Sequence, residues 1–302
     1  MTAVLALANA AAGSADDDAV ESALDALRAR ADTEVVVPDG SEEMDRALRA
    51  AAGRQVVVLG GDGSVHGCVA ALFGAGLLDS VGPLGIVPLG TGNDLAGGLG
   101  LPEDPQEAAR VAIEGTVRPM DVLVDDEGDD GGIVVNVVHA GVGAEAAASA
   151  SAVKGALGVA GYLVGAAAAG MSTTGWRLRV VADGEVVHDG AEPVLMVGVA
   201  LGTTIGGGTP VAPMSSPGSG LAEVIVSTAT GPVERAAFAA DMRQGRHLDR
   251  DDVWSTHAAE ITVESTDGEP FRLNTDGDVT DPVLRRTWRV HPGAWSCRVP
   301  EE

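Results

Sequence analysis

The chain has 302 residues, 19 of them basic and 44 acidic, for a formal net charge of −25, and its only lysine is Lys154. That length accommodates two domains of ordinary size, and aromatics at 3% beside plentiful Ala, Val, Leu and Ile predict aliphatic cores. So acidic a surface offers no basic patch for phosphate neutralisation, which excludes nucleic-acid binding. It suits a salty cytoplasm, where a Debye length of about 3 Å at 1 M screens self-repulsion, and it predicts weaker folding in dilute buffer.

Cys68 and Cys297 lie far apart in apolar patterns and read as buried, reduced thiols rather than a bridge or a metal site. The six histidines show no paired zinc-ligand spacing. Thr2 to Ala12 is apolar and ends in small residues, but it lacks the positive n-region of a signal peptide and reads instead as a first strand. Lys154 to Gly170 is short for a membrane span, starts on a charge and consists mostly of Ala and Gly, so a buried helix is expected. Together these predict a cytoplasmic protein whose membrane contact is peripheral, at the inner face.

In chain order, residues 3–8 read as a strand and Asn9 to Gly13 as a turn. Ser14 caps a helix whose first turn holds Asp16, Asp17 and Asp18 and whose inner stripe is Val20, Leu24 and Leu27. Glu34 to Val37 is a second strand. Ser41 caps a second helix, with Met44, Leu48 and Ala51 inward and Gly53 at its end. A central strand at Gln55 to Leu59 breaks into Gly60-Gly61-Asp62-Gly63 and resumes with helical spacing at Val65, Cys68, Val69, Leu72 and Phe73. Leu84 to Val87 is another strand, leading into Pro88-Leu89-Gly90-Thr91-Gly92-Asn93-Asp94, where Asp94 can also cap the helix at Leu95. Pro105 to Ile113 is a further helix.

This alternation predicts a parallel sheet covered by helices on both faces. Ligands of such sheets bind beyond the carboxyl ends of the strands, the edge shared by Asn9–Gly13, Gly60–Ser64 and Gly90–Asp94. The texture changes near Arg118. Strands are expected at Met120–Val124, Ile133–Val138, Trp176–Val181, Glu185–His188, Val194–Leu201, Leu221–Ser227, Ile261–Ser265, Phe271–Asn274, Thr287–Val290 and Trp295–Val299. Helices are expected over Ala144–Gly170 and Pro232–Arg243, a solvated acidic hairpin tip at Asp125–Gly132, and a tight turn at Asp183-Gly184. The expected architecture is a three-layer α/β nucleotide-binding domain at 1–118, followed by an antiparallel β-sandwich at 119–302 whose last residues can return to the first domain.

A strand that breaks into glycines and re-enters a helix lets backbone approach an oxyanion and points helix N–H groups at it. A Walker loop needs a lysine after its last glycine, and a dinucleotide fingerprint needs a third glycine where His66 stands. Glycine-flanked Asp62, and with it phosphoryl transfer, is what these exclusions leave.

Gly60-Gly61-Asp62-Gly63-Ser64, together with Pro88-Leu89-Gly90-Thr91-Gly92-Asn93-Asp94, resembles the diacylglycerol kinase family of lipid kinases, including its bacterial and sphingosine kinase members. The resemblance runs nearly end to end. Gly206-Gly207-Gly208 followed by Ala212-Pro213 is similar to the family's second-domain glycine loop, and Asp276-Gly277-Asp278 to its Asp-Gly-Glu. The Gly-Gly-Asp-Gly element alone is shared with NAD kinases and phosphofructokinases, and the chain has no Gly-Ser-Thr-Ala-Tyr-like segment of an NAD kinase. The resemblance implies that Gly60, Gly61, Gly63, Ser64, Val65 and His66 wrap the ATP phosphates, with Asn9, Gly13, Gly90, Thr91, Gly92 and Asn93 also on the nucleotide. Asp62 and Asp94 would join a water–Mg²⁺ network, with Asp94 the metal ligand. Asp278 would take the proton of a lipid hydroxyl, with Asp62 the other candidate catalytic carboxylate.

The implied cofactors are ATP and Mg²⁺. The implied partners are a diacylglycerol-like or archaeal diether alcohol, a membrane surface and, in a homodimer, a second copy. The chain departs from the family at Ala10, His66-Gly67, Leu201, Ser219 (where bacterial members have an aspartate that helps hold a structural Mg²⁺) and Asp278. The rival expectations are an NAD kinase-type phosphotransferase and a nucleotide-binding regulatory protein without turnover. The four tryptophans are expected to pack the sandwich or its ends.

Overall fold

In the computed structural model, residues 2–8, 17–51, 53–127, 132–151 and 175–301 are described. Two compact units result, Met1–Val122 with Pro292–Glu302, and Leu123–His291. The second is thus inserted into the first, and β5 (Thr116–Asp125) and β18 (Arg285–Val299) carry the chain across the two junctions.

The first unit alternates β1 (Ala3–Ala8), α1 (Asp17–Arg28), β2 (Asp32–Val36), α2 (Ser41–Ala50), β3 (Gln55–Gly60), α3 (Asp62–Gly74), β4 (Gly85–Pro88), α4 (Asp94–Gly98) and α5 (Pro105–Glu114). Its strands are parallel in the order β2-β1-β3-β4. Alternate residues Val4, Ala6, Val57, Leu59 and Val87 face Leu24 and Leu27 of α1 and Ala108, Ala109 and Ala112 of α5. Helices α2 and α3 pack on each other and bury Leu48, Val65, Cys68, Val69 and Leu72. Strands covered on both faces have no polar side to show, which is why they read as unbroken apolar runs. From β1 the chain steps to β2 on one side and later to β3 on the other, so β1 and β3 flank the crevice where such sheets take ligands.

Helix ends are where the sequence misled. Gly40, at φ +99°, holds the N-cap position of α2, and Ser41 is already helical. Asn93 precedes α4, so Asp94 is its first residue rather than its cap. At α5 Asp104 caps by accepting from Glu107 N–H at 2.9 Å. Asn9 to Gly13, the Ser14 cap, half of the Asp125–Gly132 tip and the 152–170 part of the expected long helix lie outside the described residues.

The second unit continues with β6 (Ile133–Val134), β7 (Val137–Gly141), α6 (Val142–Ser151), β8 (Leu178–Ala182), β9 (Glu185–Asp189), β10 (Met196–Ala200), β11 (Thr204–Ile205), β12 (Thr209–Pro210), β13 (Ala222–Ser227), α7 (Pro232–Met242), β14 (Val253–Ala258), β15 (Glu260–Ser265), β16 (Leu273–Thr275) and β17 (Asp278–Val279). Two six-stranded sheets form, in the orders β14-β13-β10-β7-β16-β17 and β6-β5-β18-β15-β8-β9. Val138, Val197, Val199, Val224 and Val226 of one meet Leu178, Val180, Ile261, Val263 and Trp288 of the other in a single apolar core. The outer face of the first sheet, with Val137, Met196 and Ile225, is covered by Phe238 and Met242 of α7.

Several elements differ from expectation, among them the expected strand Ile133–Val138, which is two strands, β6 and β7, in different sheets. Thr287–Val290 and Trp295–Val299 are parts of one fifteen-residue strand, β18. The chain passes His291-Pro292 by placing Gly293 at φ +59° and giving its N–H to Asp121 Oδ1 at 2.8 Å. Edge strand β14 was not anticipated, because only Ala258 of its six residues is buried and no apolar alternation marks it. The expected acidic tip is not simply solvated. Arg286 pairs with Asp125 at 3.1 Å, Arg285 with Glu127 at 2.5 Å, and Arg289 with Asp126.

Candidate active site

The glycine turn is tighter than its sequence suggests. Strand β3 ends at Gly60, Gly61 is the N-cap, and α3 begins at Asp62. Ser64 therefore lies inside the first turn instead of capping it, and Ser64 and Val65 give their N–H groups to Gly61 O at 3.0 and 3.1 Å. The side chain of Val65 is core, 3% exposed, so any contact it makes to a nucleotide is through backbone. Gly63 is open, with nothing within 4 Å of where a Cβ would stand. The start of α3 thus presents helix N–H groups and the positive end of the helix dipole at the carboxyl edge of the sheet.

The second loop closes on itself. Asn93, left-handed at φ +52°, accepts Gly90 N–H through Oδ1 at 3.0 Å and donates through Nδ2 to Gly90 O at 2.7 Å. Thr91 and Gly92 are left exposed at its tip. The two loops then touch backbone to backbone. Leu89 N–H donates to Gly60 O at 3.1 Å, and a Cβ on Gly90 would stand 2.4 Å from Gly61 Cα. Only glycine fits such an approach.

Asp62 fastens them. Its Oδ2 accepts Asp94 N–H and its Oδ1 accepts Leu95 N–H, both at 3.0 Å. One carboxylate thereby supplies the acceptors that the first turn of α4 lacks. The Asp94 side chain is 8% exposed beside it. Next to the start of α3 lies a cavity of ≈ 330 Å³ lined by Leu7, Pro38, Ser41, Met44, Ser64 and Gly67 among others. It is predominantly apolar, with the α3 N-terminus at one wall.

In the second unit, Gly206, Gly207 and Gly208 have φ of +63°, +82° and +97° and form the turn between β11 and β12. Asp276-Gly277, at φ +48° and +104°, is the two-residue turn between β16 and β17, with Thr275 paired to Asp278. Asp278 is exposed. Sequence reasoning missed the part played by Asp276. Its carboxylate accepts N–H groups from Val135, Asn136 and Val137 at 2.8, 3.0 and 2.9 Å. An Asp-Gly pair signals a turn and nothing about which distant strand its carboxylate will hold. Asn136 was missed for the same reason; it donates through Nδ2 to Thr204 O at 3.0 Å and carries the base of the glycine turn.

Among the described residues no group of three or more His, Cys, Asp or Glu is arranged to hold a metal ion, and no helix is long and apolar enough to cross a membrane. Both cysteines are free and buried, and burial pushes each thiol up to about 12. Trp288 is in the sandwich core and Trp295 is buried in the first unit. Trp176 is partly buried, and Trp254 is 38% exposed.

Residues 3–124 match the diacylglycerol kinase catalytic domain, and residues 136–298 match the YegS C-terminal NAD kinase beta sandwich-like domain. The chain belongs to the diacylglycerol kinase family of lipid kinases. A relative from Chromohalobacter salexigens that carries the name "Probable lipid kinase YegS-like" is 32% identical over 254 residues, 82% of this chain and 76% of the relative. The "Diacylglycerol kinase" of Bacillus subtilis is 28% identical over 226 residues, 74% and 70% of the two chains. Two crystal structures of Bacillus anthracis str. Sterne proteins described as diacylglycerol kinases cover 98% of the chain and 95% and 96% of their own. They superpose with TM-scores of 0.81 and 0.73 at 23% and 20% identity, a likeness of fold. In this chain Leu201 is fully buried, and Ser219 Oγ donates to Leu221 O at 3.0 Å, closing its own loop.

Proposed function

We propose that the chain transfers the γ-phosphoryl group of ATP to the hydroxyl of a diacylglycerol-like lipid alcohol. The observation that carries this reading is the stitching of the two glycine loops by Asp62, beside the crevice where parallel sheets of this order take ligands. Gly60, Gly61, Gly63, Ser64 and His66 on one side and Gly90, Thr91, Gly92 and Asn93 on the other hold the triphosphate. The adjoining cavity holds the nucleoside.

Phosphoryl transfer asks mainly for in-line positioning and charge neutralisation. None of the residues assigned to the triphosphate is a lysine or arginine, so helix N–H groups carry much of the latter. Mg²⁺ in kinases is held by one or two carboxylates plus substrate oxygens and water, and neighbouring Asp62 and Asp94 fit that demand; the ion supplies charge neutralisation at the phosphates. Both oxygens of Asp62 already accept backbone N–H groups, which makes it a poor proton acceptor. The base is therefore assigned to exposed Asp278, which takes the proton from the acceptor hydroxyl as the oxygen attacks phosphorus.

γ-labelled ATP offered at high salt with dioleoylglycerol, an archaeal-type diether alcohol, sphingosine and NAD tests the reading. Label in a glycerolipid is expected. Label in NAD alone, or in no acceptor while ATP still binds, would overturn it.

A further inference from the structure

We infer that Asp276 is a positioning residue, which sets the place of Asp278 by anchoring its hairpin to the β6–β7 segment; this rests on the reading of Asp278 as the base. The molecule contains its own control. Asp183-Gly184 makes the same two-residue turn between β8 and β9, at φ +48° and +82°. There too the aspartate N–H bonds a neighbouring strand, Glu260 O at 2.9 Å, and its carboxylate accepts N–H groups from that strand, Ala259 at 3.0 Å and Glu260 at 2.8 Å. Asp276 repeats this with Val137 O at 3.0 Å and three N–H groups in place of two. Each turn is followed by an acid paired with the residue before the aspartate, Glu185 with Ala182 and Asp278 with Thr275.

The hairpins differ in what the anchored strand carries. Around Asp183 it is the start of β15. Around Asp276 it is Asn136, whose carbonyl accepts Leu201 and Gly202 N–H at 2.8 and 3.0 Å and whose amide holds Thr204 O. A Cβ on Gly202 would stand 1.8 Å from Asn136 Oδ1, so that junction is closed with no room to spare. Asp276 therefore fixes, through one carboxylate, both the strand bearing Asp278 and the root of the Gly206–Gly208 turn. Asn274 braces the turn from the other side, its Oδ1 accepting Gly277 N–H at 3.0 Å. Displacing a reacting group by about 1 Å costs on the order of 10²-fold in rate, and an amide in place of the Asp276 carboxylate turns N–H toward N–H.

The experiment compares Asp276→Asn with Asp183→Asn, measuring kcat, KM for ATP, KM for dioleoylglycerol and the melting temperature of each. Both are expected to melt lower. Asp276→Asn alone is expected to lose about 10²-fold in kcat, with KM for ATP within about twofold of the parent. A kcat for Asp276→Asn within about twofold of the parent, or an equal loss of kcat in folded Asp183→Asn, would overturn the inference. Should Asp276→Asn not fold, Asp276→Glu, which keeps the charge and moves it by one carbon–carbon bond, is judged by the same two criteria. Unimpaired transfer by Asp278→Asn would instead remove the underlying reading, so the two failures are distinguishable.

Discussion

The two units use aspartate in contrasting ways. In the first, Asp62 joins two loops that are 30 residues apart in sequence but leave adjacent parallel strands, β3 and β4, whose register already pairs Gly60 with Pro88. In the second, Asp276 joins segments about 140 residues apart that the β16–β7 register, which pairs Thr275 with Val138, already sets side by side, and its carboxylate reaches past the end of that ladder to Val135 and Asn136. In both units strand pairing brings the segments together, and the carboxylates differ in what they then hold: Asp62 completes the start of a helix, whereas Asp276 fastens the irregular run that leads into β7.

Substitutions can test that contrast from either side. The largest effect is expected in the first unit from Gly90→Ala, whose Cβ would stand 2.4 Å from Gly61 Cα and 2.8 Å from Asn93 Oδ1. Overpacking of about 1–3 kcal/mol corresponds to roughly 5- to 150-fold weaker ATP binding by calorimetry. Gly63→Ala meets open space and is expected to bind ATP nearly as the parent does. Equal losses from the two would mean that close approach of the loops is not what matters.

A second effect separates the units by pH. His139, in β7, is 8% exposed, and burial pulls its imidazole down to about 4. The unfolded chain takes up that proton near pH 6.5, so the contribution is whole above that pH. It is lost as pH falls from about 6.5 to about 4, to a limit of about 3 kcal/mol. His139→Val should flatten the acid limb of the stability curve of the second unit; an unchanged limb would assign it elsewhere.

The smallest expected difference comes from salt. With a net charge of −25, melting temperature should rise between 0.1 M and 2 M KCl as repulsion is screened. The arginine-paired Asp125, Asp126 and Glu127 segment should respond least. A melting temperature that falls with salt would contradict the halophilic reading of the composition.

Much of the first unit was legible in sequence because helix and strand alternate there with clear periods, and because a motif at Gly60–Ser64 and another at Gly90–Asp94 sit at strand ends. What could not be read was that the two loops interlock, since Asp62 looks the same in sequence whether it faces phosphate or the start of α4. Cap positions shifted by one residue: Ser41 and Asp94 are good caps by type, yet both are already helical, and Gly40 and Asn93, each at positive φ, stand at the cap position before them. In the second unit strand alternation located most elements. It failed at β14, an edge strand, and at Pro292, where a strand continues through a residue that usually ends one. The family resemblance named Asp278, whereas Asp276 needed coordinates, because its three partners lie about 140 residues away in the run between β6 and β7.

The most direct test of the account is a single-turnover measurement with γ-labelled ATP and dioleoylglycerol on the parent and on Asp278→Asn, with ATP affinity measured alongside. The prediction is unchanged ATP binding and a transfer rate lower by about 10²- to 10⁴-fold, the ordinary contribution of a general base. Transfer at the parent rate by Asp278→Asn would contradict the account.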